Sequence, residues 1–304
     1  MQWPPPQVIV ASGIAARSPM VIAYDASRSA LYTPESRDTV FQSGVDYTPV
    51  QLAVEAARLA YYRAEASSAQ MQRLAEALAR VGFAAPVMFI GEHTGAAGFG
   101  SLRASDRRML LALRGTQPDD FRDIKRDLGV RMIAWSESGG RAHAGFASAT
   151  RALLPQIRQW ISRTAHAAEK LIVTGHSLGA AMATLTAAAL PVEWLVTLGS
   201  PRVGDSDFIR TLQAANSVRI VDCCDLVTQV PPPLPIGGYA HVPTCTYLTQ
   251  DGQAVLDPAQ ALIDADRSSA RRRYLARYSW RLGNVLLRRL ADHAPINYAR
   301  AFFN

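Results

Sequence analysis

Hydrophobic spacing divides the chain into helical and strand-like stretches. From Pro49 onward Leu52, Ala56, Leu59 and Ala60 recur at helical intervals, and Met71, Leu74, Leu78 and Val81 repeat the pattern. After Val81 the period changes. Short apolar runs follow at Pro86–Gly91, Met109–Leu113, Leu171–Thr174, Trp194–Gly199, Val218–Asp222 and Thr244–Leu248, with helical stretches between several of them. Continuously apolar strands alternating with helices predict an α/β fold, a mainly parallel sheet covered by helices on both faces. Residues 1–46 show neither period and read as an irregular N-terminal extension of a single domain spanning 1–304. Further on, Leu275, Tyr278, Leu282, Val285 and Leu286 recur every three or four residues, which predicts a helix with an apolar face flanked by arginines.

Composition fits that picture, since 304 residues of which 49% are apolar suffice for one large core. No run approaches the roughly 20 apolar residues of a membrane span. The opening MQWPPPQVIV has no basic segment followed by a long apolar stretch, so no signal peptide is read there. Cys223, Cys224 and Cys245 lack the spacing of a metal site or disulfide framework and point to a reduced compartment. The expectation is a cytoplasmic protein, with leaderless export as the alternative. Net charge is +7, and it is concentrated: eight arginines and no acidic residue lie between Arg267 and Arg289. Such a cluster suits an anionic partner. The segment lacks the stacking platforms of a nucleic-acid module, so nucleic acid is not expected.

The chemistry is carried by Gly175-His176-Ser177-Leu178-Gly179, where an apolar strand run passes into the small-residue stretch AAMATLTAAAL. G-x-S-x-G between strand and helix is a nucleophile elbow: glycines 175 and 179 permit a tight turn that lifts the serine oxygen above the sheet. The helix start also aims amides at a developing oxyanion. α/β-Hydrolases run serine, acid, histidine along the chain, which leaves His241 and His293 as candidate bases. His241 lies only sixteen residues after Asp225, so position favours His293. Asp205, Asp207, Asp222 and Asp225 are all placed to be the acid, with Asp225 just beyond a strand and therefore preferred.

Several motifs, in order, resemble the class 3 lipases: LALRGT at Leu111–Thr116, His143-Ala144-Gly145-Phe146, GHSLG at the elbow, VTLGSPRVGD, RIVDCCDLVTQVPP and DHAPINY. The likeness runs from about Tyr47 to the end of the sequence. It implies an α/β-hydrolase fold and selects Ser177, Asp225 and His293 as nucleophile, acid and base, while the GYAHV stretch demotes His241. It also implies an oxyanion hole from the amides of Thr116 and Leu178. In similar lipases the segment after R-G-T is a lid; here Phe121, Ile124 and Leu128 would form its narrow apolar stripe, from which weak interfacial activation is expected. Two features depart from the pattern. Asp222 replaces a usual asparagine, and the stretch from Asp251 to Leu290 is longer and more basic.

The function so implied is serine-dependent hydrolysis of lipid esters, as by an acylglycerol lipase, through an acyl-enzyme that needs no metal or organic cofactor. The histidines show no metalloenzyme spacing such as H-E-x-x-H. A phospholipase A-type enzyme at anionic membranes, contacted through Arg271, Arg272 and Arg273, is the alternative. An acyltransferase shares the same triad, and an inactive lipid-binding relative is the third class.

Overall fold

The computed structural model describes residues 21–115, 131–164, 170–212, 214, 216–232 and 238–303. The strands are β1 (Val87–Gly91), β2 (Ala96–Arg103), β3 (Arg108–Leu113), β4 (Met132–Ala134), β5 (Arg141–His143), β6 (Lys170–His176), β7 (Trp194–Leu198), β8 (Asn216–Asp222), β9 (Cys245–Leu248) and β10 (Ala254–Leu256). The helices are α1 (Arg28–Tyr32), α2 (Pro49–Leu59), α3 (Ser68–Ala79), α4 (Ala144–Thr164), α5 (Leu178–Ala189), α6 (Ser206–Arg210), α7 (Gln260–Arg277), α8 (Arg288–Ala291) and α9 (Pro295–Ala299).

One sheet of eight strands, in the order β1-β2-β3-β6-β7-β8-β9-β10, forms the centre. The run from β3 to β9 is parallel and both edges are antiparallel. Alternation along the inner strands sorts their side chains to two faces. Leu110, Ala112 and Ile172 join the cluster under α2, α3 and α9, whereas Met109, Leu111, Leu113, Leu171 and Val173 join the cluster that includes residues of α4 and α5. The helix starting at Pro49 has a defined beginning: Thr48 and Gln51 form a reciprocal cap, and proline occupies the first turn, where its missing N–H costs nothing. So deep is α2 in the layer that its one ion pair, Glu55–Arg58, is buried as well.

Two parts of the chain differ from their sequence pattern. The helix expected across 275–286 stops at Arg277; Tyr278 to Leu287 form turns, Gly283 has φ +86°, and Leu282 and Leu286 are exposed while only Val285 of that loop is buried. A positive φ at Gly283 is incompatible with a continued right-handed helix, so the apolar spacing there is not a helical stripe. Residues 21–46, without periodicity, are nonetheless packed. Ala26, Ala30 and Leu31 share a cluster with Tyr274, Val285 and Ala294, and Asn297 exchanges two hydrogen bonds of 2.9 Å with the backbone of Asp25. Among the described residues no helix is long and apolar enough to cross a membrane.

Candidate active site

Three segments converge at the carboxyl ends of the parallel strands, the usual place for a site in an open α/β sheet. β6 delivers Ser177, the loop after β8 delivers Asp225, and the turn between α8 and α9 delivers His293. Ser177 is held at φ 58°, ψ −125°, a conformation that L-residues rarely adopt. It persists because the flanks leave no alternative. A Cβ on Gly175 would lie 2.3 Å from the Gly179 carbonyl, and one on Gly179 would lie 2.1 Å from the Leu113 oxygen. β3, β6 and the start of α5 are thereby in backbone contact around the serine. Leu178 opens α5, so its amide belongs to the first turn, whose donors have no partner within the helix.

His293 is oriented from behind. Its Nδ1 donates to Asp225 Oδ2 at 2.7 Å, with 1% and 0% of the two side chains exposed. Asp225 is itself fixed by the Tyr298 hydroxyl on the same oxygen and by the Val227 amide at 2.8 Å on the other. The imidazole of His293 lies against that of His176, ring centroids 4.4 Å apart, which brings it to the residue preceding Ser177. Asp292 pins the backbone on the other side: it accepts from Tyr24 at 2.7 Å, from the Cys224 amide at 2.9 Å and from Arg288 at 3.1 Å. The alternative base is elsewhere engaged. His241 Nε2 donates to the Thr228 carbonyl at 2.8 Å. Of the other candidate acids, Asp205 caps α6 through the Phe208 amide and Asp222 pairs with Arg300 at 3.3 Å. Asp207 is tied on the surface to Arg210.

Thr116 and the candidate lid residues Phe121, Ile124 and Leu128 lie outside the described residues. Tyr298, His176 and Tyr61 were not singled out by sequence reasoning. Tyr298 ends the DHAPINY motif, which carries the residue without assigning it a role. Tyr61 left no such trace: its hydroxyl and His176 Nδ1 share a 2.7 Å hydrogen bond, and a Cβ on Gly115 would fall 2.2 Å from that hydroxyl.

Burial, and then the neighbouring His293, hold His176 well below the usual imidazole range. Burial, then Arg219 and Arg202, bring His241 down to about 3. In the unfolded chain both bind a proton near pH 6.5. The folded chain excludes it until a lower pH, so their stabilising effect is complete above that value and is lost as pH falls toward the folded pKa. The slope approaches about 1.4 kcal/mol per pH unit for each histidine. Urea unfolding compared near pH 7 and near pH 5 is expected to show this loss, and His241→Gln to make it shallower. Equal stability at both pH values would contradict the burial of neutral imidazoles.

Residues 110–234 match the family described as lipase (class 3). The secreted mono- and diacylglycerol lipase 1 of Fusarium solani is 38% identical over 112 residues, which are 34% of this chain and 33% of that protein. Phospholipase A(1) DAD1, chloroplastic, of Arabidopsis thaliana is 36% identical over 113 residues, 32% of this chain and 25% of the other. The match therefore spans a third or less of the length of these relatives. Among solved structures, the lipase from Rhizopus microsporus var. chinensis superposes with a TM-score of 0.57 at 20% identity, covering 83% of this chain and 96% of that one. That likeness is one of fold, the α/β-hydrolase fold with its mostly parallel sheet and flanking helices. The class 3 lipase match covers residues 110–234, the part of the chain that holds Ser177 and Asp225.

Proposed function

We propose that this protein hydrolyses carboxylic esters of lipids through an acyl-enzyme on Ser177, with His293 as base and Asp225 as its orienting acid. One observation carries the reading: a buried His293–Asp225 hydrogen bond of 2.7 Å beside a serine held in a strained elbow. Asp225 fixes the tautomer that leaves His293 Nε2 unprotonated and able to take the serine proton. The serine oxygen then attacks the ester carbonyl, and the alcohol departs with the proton from His293. Water, activated by the same imidazole, releases the acid. The amide of Leu178, joined by that of Thr116, would stabilise the tetrahedral oxyanion; each such donor is worth on the order of a hundredfold in turnover.

Lipid substrates are supported by the names of the relatives, one a mono- and diacylglycerol lipase and one a phospholipase A(1). A phospholipase reading is favoured by one further feature, the exposed Arg271, Arg272 and Arg273 on α7, whose charge would draw an anionic membrane. The expectation of a cytoplasmic protein finds no support among the relatives, since the Fusarium solani enzyme is named a secreted one. A hydrolysis panel of short and long acyl esters, triacylglycerol, diacylglycerol and phosphatidylcholine is the test. Release of fatty acid from at least one long-chain lipid, with none from Ser177→Ala, is the expected result. Activity confined to water-soluble short esters would remove lipids as the substrate class.

A further inference from the structure

The loop that replaces the expected helix is unusual in what it shows to solvent. Trp280 is 70% exposed, Leu282 103% and Leu286 65%, and Leu275 on the last turn of α7 is 60% exposed. Most large apolar side chains of a soluble domain are not clustered on one surface loop, so such a patch marks an interaction site. Arg281 lies over the rings of both Trp280 and Tyr278, 5.4 and 6.0 Å from their centroids, and Tyr278 leads into a cavity.

That cavity, about 420 Å³, is lined by Arg273, Arg277, Arg288 and Arg300 together with tyrosines. Its charge is lopsided. Asp251 is the only carboxylate among the described residues on its wall, and it pairs with Arg273 at 3.1 Å. Asp292 and Asp222 hold Arg288 and Arg300 at 3.1 and 3.3 Å without lining the cavity. Arg277 makes no ion pair among the described residues. Arg288 and Arg300 are 7% and 5% exposed, an expensive burial for two guanidinium groups unless their donors are used. Tyr24 is shared between them, with the guanidinium carbons 5.1 and 5.0 Å from its ring centroid. Arg288 has an acceptor at each nitrogen, though the Ala270 and Gln250 carbonyls lie at 3.4 Å, the long limit of a hydrogen bond; Arg300 reaches the Thr249 carbonyl at 3.1 Å and that of Gln250 at 3.4 Å, and its Nε has no partner among the described residues.

A multiply charged oxyanion meets these requirements, and phosphate suits a wall of several arginines better than a carboxylate does, because its additional oxygens and charge let it accept from more than one guanidinium at once. The neighbouring apolar loop argues for the source. Tryptophan and leucine beside basic residues favour the boundary between headgroups and acyl chains. We propose that the cavity binds the phosphate of an anionic phospholipid headgroup while the Ser279–Leu287 loop enters the outer layer of the bilayer. This goes beyond the proposed hydrolysis and does not rest on it, because none of Ser177, Asp225 and His293 lines the cavity.

The test uses the full chain carrying Ser177→Ala, so that no lipid is consumed. Co-sedimentation is measured with vesicles of phosphatidylcholine alone, with phosphatidic acid, and with oleate at matched surface charge. Binding to the phosphatidic acid vesicles is expected to exceed that to the oleate vesicles about tenfold. Arg273→Gln with Arg277→Gln, both at exposed positions, should bring that ratio toward one. Trp280→Ser with Leu282→Ser should weaken both while leaving the ratio intact. Equal binding to phosphatidic acid and oleate would overturn the phosphate site, leaving only unspecific attraction. Protection against thermal unfolding by inorganic phosphate without capture on any vesicle would overturn the lipid source.

Discussion

Ser177→Ala is expected to lower ester hydrolysis by at least about 10,000-fold with the fold unchanged, and His293→Ala to do the same, since nucleophile and base act as a unit. Asp225→Asn should approach that loss, because an amide in place of the carboxylate favours the wrong imidazole tautomer. The surroundings of Asp225 make this variant informative. Tyr298 and the Val227 amide both donate to it, so asparagine keeps its place but must present a donor where the structure requires an acceptor. The three variants are compared by kcat/KM on one soluble ester and by circular dichroism. An organophosphonate should label the wild type at Ser177 alone. Label on another residue, or an active His293→Ala alongside an inactive His241→Ala, would end this assignment.

Gly179→Ala is expected to be severely destabilising. Its Cβ would meet the Leu113 carbonyl at 2.1 Å, and both partners are backbone, fixed by the β3–β6 ladder and the start of α5. Neither can yield without moving the elbow. A loss of about 4 kcal/mol or more, or no soluble protein, is expected, in the range reserved for severe steric conflicts. Gly95→Ala provides the contrast. Gly95 has φ +66° and open space where the methyl would go, so only the left-handed backbone is penalised, at about 1–2 kcal/mol. Urea midpoints of the two variants measure the difference. If Gly179→Ala unfolds no earlier than Gly95→Ala, the close approach around Ser177 is not real.

Much of this arrangement is visible in the sequence for a physical reason. The six apolar runs that signal strands include the whole parallel centre of the sheet, because strands buried on both faces must be apolar throughout. The elbow is legible because its geometry excludes side chains at two positions. What escapes is set by partners distant in sequence. β2 reads AAGFGSLR, which looks like a loop, yet a Cβ on Gly100 would be 2.7 Å from the Trp160 ring and one on Gly98 2.6 Å from the Ala112 oxygen. Those glycines serve a helix and a strand that no local window contains. The 275–286 stretch errs in the other direction: its leucines keep helical spacing without a surface to pack on, so periodicity alone suggested a helix that the turn at Gly283 ends. Tyr24 and Arg288 likewise reveal their positions around Asp292 only once the chain is folded.

The attachment of residues 21–46 to the His293 segment bears on how activity is acquired during folding. Tyr24 and Asp292 are 268 positions apart, and Asp25 and Asn297 are 272 apart. Contacts of such separation close the largest loops the chain can form and tend to form late. The parallel strands that carry Ser177 can assemble around shorter connections, so the elbow is expected to be built before the base is clamped beside it. A partly folded chain would then expose apolar surface near lipid while still lacking a seated imidazole, and hydrolytic competence would arrive together with the last long-range docking step.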